Sequence, residues 1–132
     1  MRYMIMMDYG GVESACESMD RWTPEELEAH FAFQMALQAE LVERGEFVDG
    51  QGLASPDQAK FVVSDGVNPP VVTDGPYPEG KELLAGYWLV DVDSLDRALE
   101  IAGQASAAPA QGGLPIKQRM EVREVMSAPP SE

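Results

Sequence analysis

The sequence predicts one small α+β domain in which two helices cover one side of an antiparallel sheet. Three observations carry that prediction. The 132 residues are 45% hydrophobic and 24% charged, the balance of a chain that folds around one modest core rather than staying disordered or coiling into long helices. Two segments, 2–9 and 83–92, are apolar on both alternating faces, as strands in the middle of a covered sheet are. Two helices open on N-cap signals, one at Thr23 and one at Asp93 or Ser94.

Taken in order, Arg2 to Tyr9 sets Tyr3, Ile5 and Met7 on one side and Met4 and Met6 on the other, so it is expected as a central strand ended by Gly10 and Gly11. In Thr23-Pro24-Glu25-Glu26 the threonine caps, the proline suits the first helical position, and the acids favour the positive end of the helix dipole. That helix is expected to run to about Arg44, with Gly45 as its stop. Leu27, Phe31, Met35, Leu41 and Val42 form its expected apolar stripe, on which His30, Gln34 and Gln38 intrude.

Glu46 to Leu53 reads as a second strand, with Gly50 and Gly52 marking a bulge or a close backbone approach. Lys60 to Ser64 and Val71 to Thr73 are expected as the arms of a hairpin, joined through the turn signals Asp65-Gly66 and Asn68-Pro69-Pro70. Asp74-Gly75-Pro76-Tyr77 is a further turn. Leu83 to Val92 is the second buried strand. A short helix through Leu95, Ala98, Leu99 and Ala102 then ends at Gly103 or slightly beyond, and Ala105 to Gly113 is a loop. Ile116 to Met126 alternates, with Ile116, Met120 and Val122 facing one way and Lys117, Arg119, Glu121 and Arg123 the other, so one face meets solvent. The domain is expected to span residues 1–126, followed by a flexible tail, 127–132.

This order is the split βαβ of the ferredoxin-like fold with an inserted hairpin. Both helices then lie on one face of the sheet. The two-sided strands leave the other face apolar, a larger patch than monomers usually expose, so a two-fold homodimer packed sheet to sheet is expected.

Charge and cysteine content narrow the partners. Asp and Glu number 23 against 9 Lys and Arg, a formal net charge of -14, and the basic residues are scattered singly. Nucleic acid and anionic membrane surfaces are excluded on that basis, and the acidity reads as a device for solubility. Cys16, the single cysteine, forms no internal disulfide and lacks zinc-site spacing. The apolar opening 1–7 is too short for a leader, and no stretch approaches the roughly 18 apolar residues of a membrane span. A cytoplasmic protein is expected.

Thr73-Asp74-Gly75-Pro76-Tyr77-Pro78-Glu79-Gly80-Lys81-Glu82 resembles the signature of the DGPF branch of the YCII-related family. Tyr77 stands where that branch usually has Phe, and Gly80 where a small hydroxylated residue is common. The opening Arg2-Tyr3-Met4-Ile5-Met6-Met7, Glu43-Arg44-Gly45-Glu46, Gly50-Gln51-Gly52-Leu53 and Gly86-Tyr87-Trp88-Leu89-Val90-Asp91-Val92-Asp93 resemble the family pattern in the same order, over roughly Met1 to Met126. The resemblance implies a ferredoxin-like dimeric α/β barrel, a small-molecule pocket between helix and sheet, and a His/Asp pair as acid–base machinery. By position those parts fall to His30 and Asp74. DGPF relatives often sit near genes for alternative sigma factors, which implies a link to signalling.

Each candidate residue has a second, plainer reading. His30 is the only histidine, and imidazole gains and loses a proton near neutral pH, which suits proton transfer; a lone histidine beside an apolar stripe also serves as a hydrogen-bonded core-edge residue. Asp74 either orients and charges that imidazole or accepts backbone N–H groups in its own turn. Gln34 is expected beside His30 in a substrate pocket whose wall is Gly75, Pro76 and Tyr77. Lys81 suits an anionic substrate group, although Glu79 and Glu82 offer it a surface ion pair. No phosphate loop, nucleophile elbow or His/Cys metal spacing is present, so neither metal nor cofactor is expected. Two functions follow. One is a cofactor-independent lyase or isomerase acting on an unknown small molecule through His30 and Asp74; the other is a non-catalytic dimeric binding or regulatory module.

Overall fold

The computed structural model describes residues 1–12, 19–54, 58–74 and 84–126, with residues 9–12 and 20 described through their backbone alone. In chain order its elements are β1 (Arg2–Val12), α1 (Pro24–Glu43), β2 (Phe47–Gly52), β3 (Lys60–Val63), β4 (Val71–Asp74), β5 (Leu84–Asp91), α2 (Leu95–Ser106) and β6 (Gln118–Glu124), with single 3-10 turns at Met19–Arg21 and Gln111–Gly113. Tail residues 127–132 lie outside the described residues.

The two strands that read as buried on both faces are the two central ones. The main sheet has the order β2-β5-β1-β6 with every neighbouring pair antiparallel, and β3 and β4 form a separate two-stranded sheet. β5 lies between β1 and β2, and β1 between β5 and β6, so two split βαβ units interleave. This α+β arrangement is compatible with the ferredoxin-like fold.

Register assigns the faces. Ile5 lies opposite Trp88 and Val122, and Met6 opposite Tyr87 and Glu121. Because strand side chains alternate, Tyr3, Ile5, Met7, Trp88, Val90, Met120 and Val122 share the face under the helices. There they pack with Leu37 and Leu41 of α1 and Ala98, Ile101, Ala102 and Ala105 of α2. Ile5, Leu41, Val90 and Ile101 are fully buried, each contributing roughly 1.5–3 kcal/mol by leaving water. The other face carries Met4, Met6, Tyr87 and Leu89, all half-buried.

Three local expectations are corrected. β1 does not stop at Gly10-Gly11 but runs to Val12, because an irregular register after Met7 lets the strand rejoin β6 at Gln118. α2 runs slightly beyond Gly103, to Ser106, so Ala105 and Ser106, expected in the loop, belong to the helix, where Ala105 is buried against the core. On α1 the inward line is buried His30, Leu37 and Leu41 with half-buried Leu27 and Gln34, while Phe31, Met35 and Val42 face solvent. The spacing of that line is helical, but apolar residues surround the whole helix, so periodicity alone could not choose among faces.

A clamp at the start of α1

Thr23 begins α1 as expected. Its hydroxyl accepts from the Glu26 amide at 3.2 Å while Glu26 Oε1 accepts from the Thr23 amide at 2.8 Å, a reciprocal capping box. Trp22, just before the cap, and Leu27, four residues into the helix, join the same small cluster with Ala108, Ala110 and Ile116. This is a hydrophobic staple, and it also brings the loop after α2 against the helix. That loop turns through Gly112 and Gly113, at φ 72° and 75°, a region open to glycine.

Two bonds from α1 hold the loop. Glu26 Oε2 accepts from the Gly112 amide at 2.6 Å. One turn further on, His30 Nδ1 meets the Pro109 carbonyl oxygen at 2.8 Å. The Gly112 and Thr23 amides hold the Glu26 carboxyl below the usual carboxylate range.

Candidate functional site

His30 is the one buried polar side chain among the described residues, only 3% exposed. Its ring meets Trp22 edge-on at 5.3 Å between centroids and Phe31 at 5.5 Å. A carbonyl oxygen only accepts, so the Pro109 contact requires Nδ1 to carry a proton and to donate it. In the neutral ring, Nε2 is then the atom left to accept. No hydrogen bond to Nε2 is made by any described residue. Gln34 lies one turn along on the same side of α1, half-buried, and its amide likewise makes no hydrogen bond with a described residue.

Asp74 ends β4 in the separate hairpin, where its carboxylate pairs with Lys60 Nζ across the strands. No described contact joins Asp74 to His30. The group that sets the imidazole tautomer is the Pro109 carbonyl. Gly75, Pro76, Tyr77 and Lys81 lie outside the described residues, as does Cys16.

A second polar pair occupies the face of the main sheet opposite the helices. Tyr87 Oη donates to Asp49 Oδ2 at 2.7 Å, and Gln51 Nε2 donates to Asp49 Oδ1 at 3.2 Å. The bond from Tyr87, followed by the Gly50 amide, holds the Asp49 carboxyl below its ordinary value, and the same bond raises the phenol. Among the described residues no group of three or more metal-ligating side chains converges, and no helix is long and apolar enough to cross a membrane.

Sequence reasoning missed Pro109, Trp22, Asp49 and the Glu26–Gly112 bond. Trp22 was signalled, because an aromatic residue directly before Thr-Pro-Glu-Glu, with Leu27 four positions into the helix, is the pattern of a staple. Pro109 had no signal, since its backbone oxygen is common to every residue type.

Comparison with known proteins gives a family and names no reaction. An uncharacterized protein of Rhizobium meliloti (strain 1021) is 34% identical over 97 residues, covering 73% of this chain and 77% of its own. The profile of the YCII-related domain matches residues 1–125, from the start of β1 to just past the end of β6, and with that extent of match the chain belongs to the YCII-related family.

Proposed function

We propose that this protein is a cytoplasmic, homodimeric, small-molecule-binding member of its family in which His30 Nε2 accepts a proton in a cofactor-independent lyase or isomerase reaction. The observation that carries the reading is the Nδ1 contact with the Pro109 carbonyl. It sets the tautomer and ring orientation, as the third member of an acid–base constellation does. The buried ring is thereby held with one atom able to accept, and Gln34, whose amide makes no hydrogen bond with a described residue, lies one turn along on the same side of α1. That amide suits a substrate oxygen. Gly75, Pro76, Tyr77 and Lys81 supply the pocket wall and an anion partner in this reading. Asp74, whose carboxylate is engaged by Lys60, is not required for this orientation of the ring. The half-buried Met4, Met6, Tyr87 and Leu89 support a sheet-to-sheet dimer, since neither described α-helix lies over them.

The test is a thermal-shift screen of small oxo- and hydroxy-acids against the wild type and His30→Gln, with far-UV circular dichroism as the control for folding. A compound that stabilises the wild type and is turned over by it, while a folded His30→Gln binds it without turnover, is the expected result. Equal turnover by the variant removes His30 from the chemistry. A non-catalytic module is favoured by the same buried, carbonyl-bonded ring if His30→Gln loses the fold and no compound is converted.

A further inference from the structure

The loop of 107–116 is closed on itself. Ala110 donates to the Leu114 carbonyl at 2.8 Å and accepts from the Gly113 amide at 2.9 Å, Ile116 donates to the Ala108 carbonyl at 2.8 Å, and Pro109 and Pro115 pair as an antiparallel bridge. A segment tied in this way shifts as one piece. Its internal bonds leave the Pro109 carbonyl and the Gly112 amide for α1, and both are taken. Gly112 donates to Glu26 Oε2 at 2.6 Å, and the Pro109 oxygen accepts from His30 Nδ1 at 2.8 Å. Glu26 and His30 are four residues apart, one turn along the same side of the helix.

Apolar packing also presses the loop on α1, through Trp22 and Leu27 against Ala108, Ala110 and Ile116. Such contact is non-directional, so it brings the loop close without choosing which backbone atom meets the imidazole. Hydrogen bonds make that choice. A bond to a carboxylate is about twice as strong as one between neutral groups, so the bond at Glu26 sets the register of loop against helix and the bond at His30 follows it.

We propose that Glu26 is a positioning residue for His30: by holding the Gly112 amide it sets the loop where the Pro109 carbonyl meets Nδ1, and so keeps Nε2 as the ring nitrogen that accepts. Once the loop is released, the proton can sit on either nitrogen, and Nε2 becomes a donor in the fraction that switches. The consequence for a reaction rests on the reading above, whereas the tautomer is measured without any substrate.

Ring-nitrogen NMR of the full chain carrying isotope-labelled histidine tests it, since the only histidine gives a single pair of signals. The spectra are recorded about two pH units above the ordinary imidazole value of about 6.5, where the ring is neutral. The wild type should show Nδ1 protonated and Nε2 bare. Glu26→Ala, folded by circular dichroism, should lower the ratio of the Nδ1–H form to the Nε2–H form by about fivefold or more, a part of the loss expected for a bond to a charged group. Thr23→Ala loosens the same helix start but leaves the Glu26 carboxylate on Gly112, and should change the ratio by less than about twofold. A Glu26→Ala ratio equal to the wild type's overturns the proposal. An equally large shift in Thr23→Ala also overturns it, by assigning the effect to the helix start. Full turnover by His30→Gln, in contrast, removes the catalytic reading and leaves the positioning in place. If Glu26→Ala does not fold, hydrogen exchange of the unaltered protein decides. The Nδ1 proton and the Gly112 amide should exchange through one opening event with the same response to low urea, and an Nδ1 proton still protected after Gly112 has opened overturns the proposal.

Discussion

Arg97 on α2 grips Glu46, just ahead of β2, through two parallel bonds: Nε to Oε2 and Nη2 to Oε1, both 2.9 Å. Both side chains are mostly buried, 17% and 15% exposed, and Arg97 also reaches Glu100 at 3.2 Å. A planar guanidinium matches a carboxylate in this two-pronged way and an ammonium does not. Arg97→Lys should therefore cost about 1 kcal/mol, and Arg97→Ala about 3 kcal/mol, because the second leaves a buried carboxylate unpaired. Urea unfolding measures both.

The same pair sets an acid dependence. Hydrogen bonds from Arg97 hold the Glu46 carboxyl below its ordinary value, outweighing the opposing effect of burial. Since the folded value is the lower one, this stabilisation is complete above the unfolded carboxylate value of about 4.3 and is lost as pH falls through the folded value. Glu46→Gln should flatten stability against pH in that window. An acid limb as steep as the wild type's would assign it to other carboxylates.

Gly86 and Gly52 lie opposite each other on β5 and β2, yet only one has room for a side chain. A Cβ on Gly86 would stand 2.9 Å from the Gln51 carbonyl oxygen, whereas one on Gly52 meets nothing within 4 Å. Gly86→Ala should cost about 1–3 kcal/mol by forcing the central β5 away from the edge strand β2, and Gly52→Ala should be near neutral. Thermal unfolding of the two variants separates close approach from strand propensity.

Lys117 is the one non-glycine residue at positive φ among those described, at 55°. It is held there by buried Ile116 before it and by Gln118 after it, whose side chain donates to the Asp8 carbonyl at 2.9 Å. Left-handed backbone costs a side-chain-bearing residue roughly 1 kcal/mol, so Lys117→Gly should stabilise by about 0.5 kcal/mol after the glycine's extra unfolded-state entropy is counted. A lower melting temperature would show that the lysine makes a compensating contact.

The face of α1 can be read directly by mutation. Leu37 is 5% exposed and Met35 is 72% exposed. Leu37→Ala should cost about 2–4 kcal/mol and Met35→Ala less than about 0.5 kcal/mol. Comparable losses at the two positions would mean that Met35 is covered in solution.

The helix starts, the order of helices and strands along the chain and the central position of β1 and β5 were legible because each depends on chemistry within a few residues: the Thr23 cap, the Ser94 cap, Gly45 at φ 74°, and side chains alternating on two apolar strands. What lies around His30 was not. The same residue reads as an intruder on an apolar stripe in sequence and as the centre of the buried face in space.

By itself, then, the sequence determined the two-helix, antiparallel architecture and the membership of the family, since local periodicity and an ordered set of motifs suffice for both. Only the tertiary structure decided which side of α1 is inside, that Pro109 rather than Asp74 meets the imidazole, and that Asp74 is held by Lys60. The physical reason is that a helix with apolar residues spread round its whole circumference has no preferred face until the sheet and the loop of 107–116 close on it, and a backbone oxygen 79 residues away leaves no mark in the sequence.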